Sequence, residues 1–285
     1  MNPPVMHRVS TLDLAVEPWA WPFADARRDE IAAYFEEQQR KTPALWNGRV
    51  LLGRNPVFSG DRFSASYFET GFASFLAWRD WGFPDVPVFN GFGMGALRCA
   101  DGAFVLGEMG QHTANPGRIY FPSGTPDLND VRDGKLDIPG SVVRELEEET
   151  GLAPGEYESD PYWHCVYTGP AVAMFRILRV DMPGEALRER ITANLASQHE
   201  PELAAIHIVR SVSDLTSAMP RFAVAVKPRF RALLSTVTPE RDAWRASSGP
   251  IAGSGLASSM RMSRAGPVVC ASTESMQRST SAGAS

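Results

Sequence analysis

The chain has 285 residues, 44% of them hydrophobic, and a formal net charge of −5. That is enough apolar material for one large core or two small ones, and the acidic balance argues against general nucleic-acid binding, which needs a basic face. No apolar run approaches the ~20 residues of a membrane span, and the three cysteines, Cys99, Cys165 and Cys270, lack metal-ligand spacing and suggest a reducing, cytoplasmic setting without disulfides.

In chain order, residues 1–87 read as a small α+β extension. Met1 to Asp13 lacks the apolar core of a secretory signal. Asp29 to Lys41 reads as a charged helix, Arg49 to Leu52 and Phe63 to Phe68 as short strands, and Ala73 to Trp81 as a second helix. Trp78, Trp81 and Phe83 are expected to pack this part against the next, because large aromatics more often supply core area than a stacking platform.

Residues 88–245 read as a second domain. Asn90 to Cys99 is a Gly-rich strand, Asp101-Gly102 a hairpin turn signal, and Ala103 to Met109 the partner strand. A polar loop, Gln111 to Gly117, leads to a strand from Arg118 to Phe121. Further on, Tyr162 to Tyr167 and Val172 to Asp181 read as strands, Glu185 to Ala196 as a helix, Ile206 to Val209 as a strand and Arg221 to Leu234 as a closing helix. The order predicts the α/β class, as an α/β/α sandwich around a mixed sheet. Residues 246–285 have few large apolar groups and no periodicity, so a disordered tail is expected.

Between those strands lies Arg144-Glu145-Leu146-Glu147-Glu148-Glu149-Thr150-Gly151-Leu152, with four glutamates in five positions. Like charges at i,i+4 repel, so such clustering points to a cation held by carboxylate oxygens. A helix advances about 100° per residue, which puts Glu145, Glu149 and Glu148 within about 100° of one another, with Arg144 beside Glu148 and Glu147 on the far side. Three glutamates can therefore converge and the fourth cannot. Val142, Val143 and Leu146 give this helix an apolar stripe, and Gly151 suits a left-handed cap. The helix is expected from near Ser141 to near Thr150. A solvated, charge-rich surface helix is the competing reading, but Arg144 is the only basic neighbour within the run.

The pattern Arg-Glu-apolar-x-Glu-Glu-x-Gly-apolar resembles the second half of the Nudix box of the Nudix hydrolases, and matches it at every fixed position of 144–152. The first half departs. Counting back from Arg144 puts Asp130 where the box has glycine and Leu136 where it has glutamate. Tyr120-Phe121-Pro122-Ser123-Gly124 is similar to the strand end and turn that open the box, which implies an insertion of six residues between Thr125 and Leu136. That loop carries Asp127, Asp130, Asp133 and Asp137, any of which could stand in for the absent glutamate. Asp137 before Ile138-Pro139 reads first as a helix N-cap, and Asp127 as a turn residue.

The resemblance implies a Nudix-type sandwich and hydrolysis of a nucleoside diphosphate linked to another group, with Mg²⁺ or Mn²⁺. It implies that Glu145, Glu148 and Glu149 hold metal and that Arg144 locks Glu145 and Glu148 in place. Glu202, just ahead of the last strand, is the candidate general base, with Glu200 behind it. Arg118 and Gly124 are candidate substrate contacts, with His112 and Asn115 weaker ones. The N-terminal order is loosely similar to enzymes acting on nucleotide sugars, of the UDP-sugar or ADP-ribose type. The expected partner is a nucleotide-derived small molecule, with no nucleic acid and no membrane, and a homodimer is left open. A non-catalytic nucleotide sensor, or a pyrophosphatase of nucleoside triphosphates or dinucleoside polyphosphates, are the alternatives.

Overall fold

The computed structural model describes residues 4–220. The closing helix expected at 221–234 and the tail expected at 246–285 lie outside the described residues. The chain opens with β1 (Val5–Val9), β2 (Thr11–Val16), α1 (Pro22–Ala26) and α2 (Arg28–Lys41). β3 (Arg49–Ser59), β4 (Arg62–Gly71) and α3 (Phe72–Asp80) follow. Then come β5 (Val88–Cys99), β6 (Phe104–Met109), β7 (Ile119–Tyr120), β8 (Val131–Arg132), β9 (Lys135–Leu136) and α4 (Ile138–Thr150). β10 (Glu158–Ser159), β11 (Trp163–Tyr167), β12 (Ala171–Val180), α5 (Gly184–Ser197) and β13 (Leu203–Val209) complete the set.

The strands run in the order β1-β11-β12-β5-β3-β4-β2-β9-β8, and β6 joins β5, β7 and β13. β12 is parallel to β5 and β2 parallel to β4, while β11 against β12 and β3 against β4 are antiparallel. The class is therefore α/β with a large mixed sheet, as expected from the order of elements. β3 meets β5 through Gly53↔Phe89 and Arg54↔Val88, and β1 pairs with β11 over five residues from Val5↔Tyr167 to Val9↔Trp163. The first 16 residues thus add strands at two separate places in the sheet.

Side chains alternate across β3, β4 and β5 and feed two cores. Leu51, Tyr67 and Phe89 enter the core that α4 covers. Val50, Leu52, Phe68 and Val88 enter another with Phe75 and Trp78 of α3. α2 backs α3 through Ile31 and Phe35 against Ala73 and Leu76. Trp78 is fully buried and its ring stands 4.8 Å from Phe83 in an edge contact, so the aromatics supply packing. The glycines of β5 let α4 lie directly on the strand. A Cβ at Gly93 would stand 2.7 Å from methyl carbons of Ile138 and Val142, and one at Gly95 2.9 Å from Leu178.

Several elements differ from the sequence reading: α1, β8, β9 and β10 were not expected, and β13 starts at Leu203 rather than Ile206. β1 and β2 were not expected, because Arg8, His7 and Ser10 break the apolar alternation; their pairing partners decide the conformation. β3 continues seven residues past Leu52, through Asn55 (φ 55) and Pro56, which sit at a register irregularity between Arg54 and Val57. A bulge admits residues that otherwise end a strand. α4 starts at Ile138 rather than near Ser141. The Asp137 carboxylate accepts the Gly140 N–H at 3.0 Å, and Pro139 falls in the first turn, where its missing N–H costs nothing. Gly151 ends the helix in the left-handed region, at φ 71.

Candidate active site

The turn before α4 is held across the sheet. Gly95 donates its N–H to the Pro122 carbonyl at 3.2 Å, and Leu51 donates to Pro126 at 2.8 Å. Gly124 then lies against the helix so closely that a Cβ there would stand 2.2 Å from Glu145 Oε1. The insert is an ordered structure. Asp127 caps a short 3-10 turn (Leu128–Asp130), accepting the Asn129 N–H at 2.7 Å, and Asp130 returns the bond by accepting the Asp127 N–H at 3.1 Å. Asp133-Gly134, both at positive φ, then close the β8–β9 hairpin, which adds to β2 through Ala15↔Lys135.

Asp130 is the carboxylate of the insert that reaches the glutamate run. It is 3% exposed, and its Oδ1 accepts Arg144 Nη2 at 2.8 Å. Arg144 Nη1 donates to Glu145 Oε1 at 2.8 Å and stands 3.7 Å from Glu148 Oε2. One guanidinium therefore ties three carboxylates. Asp127 and Asp137, the two weighed most closely from sequence, serve as caps instead. Leu136 is buried in the core at the place where the box has glutamate.

Glu145, Glu148 and Glu149 face one another, and Glu147 is exposed on the other side of α4. Burial pushes the Glu145 carboxyl up to about 8 against the pull of Arg144, and the charges of Glu148, Glu202 and Asp130 add to the rise. Glu149 is 4% exposed, and burial, followed by the charges of Glu145 and Glu202, raises it well above the usual carboxylate range. Neither of its oxygens meets a hydrogen-bond partner; the nearby Ser123 N–H opposes the rise without a bond of ordinary geometry. Glu202 lies directly before β13 and faces the same cluster. Burial raises it, Glu148 adds, and His112 opposes. The Gly110 N–H donates to the Glu202 carbonyl at 2.7 Å, which sets the backbone there.

The other candidates separate. Glu200 is exposed, and no described hydrogen bond or ion pair joins it to the cluster. Arg118 is exposed; its N–H bonds to Asn115 and its carbonyl to Met109, and no described bond joins its guanidinium to the glutamates. Asn115 connects outward, accepting Arg79 Nη1 of α3 at 3.4 Å and donating to the Tyr120 hydroxyl at 3.4 Å. Sequence reasoning placed Tyr120 only at the strand end before the turn, and counted Asp130 only as one of four aspartates that could stand in for the missing glutamate. Asp130 carried a signal, since the broken box spacing fell on it, whereas Tyr120 had none beyond its place before the turn. A separate cleft of about 440 Å³, lined by Trp19, Trp21, Arg28, Asn47 and Arg49 among others, contains none of these residues.

Whether the site suits a divalent cation can be judged from its donors. Glu149 offers two buried oxygens without partners, and Glu145 and Glu202 are raised by burial first and by neighbouring negative charge second. Hard oxygen donors of this kind suit Mg²⁺ or Mn²⁺. The side chains are not drawn into a finished cage: among the described residues no three His, Cys, Asp or Glu stand together as a ligand set. The donor chemistry fits, and a cation would relieve the repulsion.

Solved structures resemble part of the chain. A Nudix hydrolase from M. smegmatis, RenU, shares 17% identity over 52% of this chain and 86% of its own, with a TM-score of 0.33. The MutT protein from Methanosarcina mazei Go1 shares 17% over 52% of this chain and 96% of its own, also with a TM-score of 0.33. A C. elegans Ap4A hydrolase in a binary complex shares 14% over 55% of this chain and 99% of its own, again with a TM-score of 0.33. No protein-family model matches the chain, and no curated protein does.

Proposed function

We propose that the protein is a Nudix-type hydrolase that cleaves the pyrophosphate bond of a nucleoside diphosphate linked to another group, with a nucleotide sugar of the UDP-sugar or ADP-ribose type as its substrate. The observation that carries the reading is the cluster of Glu145, Glu148, Glu149 and Glu202, in which Arg144 pairs with Glu145 and Glu148, burial and then neighbouring charge raise Glu145 and Glu149, and two oxygens of Glu149 are unpartnered. Mg²⁺ or Mn²⁺, held by Glu145, Glu148 and Glu149, would neutralise the phosphate oxygens and lower the pKa of water. Arg144 keeps Glu145 and Glu148 in register and is itself anchored by Asp130. Glu202, half-buried and raised by burial, is the proposed acceptor of a proton from the attacking water. Gly124 leaves the Glu145 carboxylate the room it occupies.

The larger substrate is favoured by the contact of Arg79 with Asn115, which brings α3 of the N-terminal part to the loop beside the cluster. A test incubates the purified protein with Mg²⁺ and, in separate reactions, UDP-sugars, ADP-ribose, dinucleoside polyphosphates and nucleoside triphosphates. Release of a nucleoside monophosphate from one of the first two is the expected result, and Glu148→Gln is expected to lower kcat by about 10²-fold or more. Binding without turnover would make the protein a nucleotide sensor. An equally active Glu148→Gln would refute the assigned site.

A further inference from the structure

The insert that interrupts the box is tied at both ends to the N-terminal strands. Leu51 of β3 donates its N–H to the Pro126 carbonyl at 2.8 Å, where the insert begins. At the other end, Val16 of β2 donates to the Gly134 carbonyl at the tip of the β8–β9 hairpin, also at 2.8 Å. Ala15 pairs with Lys135, and Lys135 Nζ donates to Asp13 Oδ1 at 3.0 Å. Leu136 is buried, and Val131 packs on the same core as Leu12 and Val16 of β2. Strands of two residues each do not hold a hairpin together alone, so β2 supplies a third strand. The base of the hairpin lies at the glutamate site. Asp130 directly precedes β8 and Asp137 directly follows β9, and the Asp137 N–H bonds the Asp130 carbonyl at 2.7 Å. From this base the Asp130 carboxylate accepts Arg144 Nη2 at 2.8 Å, and Arg144 Nη1 donates to Glu145 Oε1 at 2.8 Å. The Asp137 carboxylate caps α4 through the Gly140 N–H. A continuous series of bonds therefore leads from β2 to Glu145.

We propose that β2 is a positioning element of the hydrolysis: by holding the hairpin it fixes Asp130 against Arg144, and through that guanidinium it fixes Glu145. The inference rests on the hydrolase reading above. Within the insert, the Asp130 carbonyl is taken by Asp137 and one carboxylate oxygen by the Asp127 N–H, so Asp130 moves only as the insert moves. A displaced hairpin lengthens the 2.8 Å bond to Arg144. Misplacing a group at a reacting centre by about 1 Å lowers a rate by up to about 10²-fold. Val16, Asp13 and Lys135 are positioning residues, because they act through Asp130. The N-terminal part is in this sense a portion of the active site rather than an appendage to it, and the insert is the piece through which the two are joined.

The test uses the full chain. Val16→Pro removes the N–H that bonds Gly134 and leaves the bond of the next residue, Glu17, to the Tyr67 carbonyl on the β4 side. Val16→Ala keeps that N–H and loses only side-chain carbon. Without metal, hydrogen exchange followed by nuclear magnetic resonance should show the Asp137 amide exchanging about tenfold faster or more in Val16→Pro, with the Leu146 amide of α4 unchanged. In turnover with Mg²⁺, Val16→Pro should have a kcat about tenfold below that of Val16→Ala, as expected for one hydrogen bond, and a KM within about twofold of it. Added to Asp130→Asn, Val16→Pro should lower kcat by no more than about twofold further, because both act through one contact. Lys135→Asp sets a carboxylate against Asp13 on the surface and leaves the core intact, so it serves where Val16→Pro does not fold; it should lower kcat by about threefold, and not further in Asp130→Asn. An Asp137 amide unmoved in both variants overturns the inference alone. So does a Val16→Pro as active as Val16→Ala, or an effect that multiplies with that of Asp130→Asn. A wild type that turns over no substrate overturns the hydrolase reading and the positioning role with it, and the exchange result tells the two failures apart.

Discussion

Removing the Asp130 carboxylate tests the anchor of the whole cluster. Its side chain accepts Arg144 at 2.8 Å and the Asp127 N–H at 3.1 Å, and is 2% exposed. Loss of a hydrogen bond to a charged group costs about 1.5–3 kcal/mol, and stranding a buried N–H about 1–3 kcal/mol more. Arg144 is 26% exposed and keeps Glu145, so it can recover part of its solvation. The lower half of that range applies, and Asp130→Ala is expected to cost about 3 kcal/mol. Asp130→Asn keeps the acceptor for Asp127 and the volume but loses the charge, so about 1.5 kcal/mol is expected. Urea unfolding followed by tryptophan fluorescence measures both, with the exposed Glu36→Ala as a control expected within about 0.5 kcal/mol of wild type. If Asp130→Ala is no worse than that control, the anchor does not exist as described.

Two other outcomes follow from the same geometry. Gly124→Ala places a methyl 2.2 Å from Glu145 Oε1, so the carboxylate must move while the fold remains; kcat is expected to fall by about 10²-fold with an unchanged circular dichroism spectrum, and full activity would refute the close approach. The metal-free protein should also lose stability as pH rises. Glu145 titrates near 8 when folded, well above the ordinary carboxyl value. A carboxyl raised by folding contributes its full stability below the unfolded pKa and loses it as pH climbs through the folded one. Melting in EDTA at about pH 5.5 and about pH 8 should therefore show a drop that shrinks in Glu145→Gln, and Mg²⁺ should raise Tm more at the higher pH. An identical pH response in the variant would refute the assignment.

Much of the architecture was legible because it is local. β5 and β6, joined by Asp101-Gly102, followed from apolar runs around a glycine turn, and Gly102 does adopt φ 82. The helix wheel separated Glu147 from the other three glutamates, and the exposed Glu147 follows from that periodicity. β1 and β2 were not legible, because their sequences are ambiguous and their conformation is set by β11 and β4, far along the chain. The insert was recognised from a spacing defect, but its path was not: which of four aspartates turns inward depends on a capping turn and a hairpin that add to β2.

The sequence by itself determined which face of α4 carries the carboxylates, because helical periodicity converts order directly into direction. It also determined where that helix ends, since Gly151 takes a backbone conformation that other residues resist. Only the tertiary structure decided what meets that face. Asp130 lies 14 residues before Arg144, and Glu202 lies 58 after it. Their meeting depends on sheet order and on glycines that let α4 settle onto β5, which are long-range packing relations that no local pattern encodes.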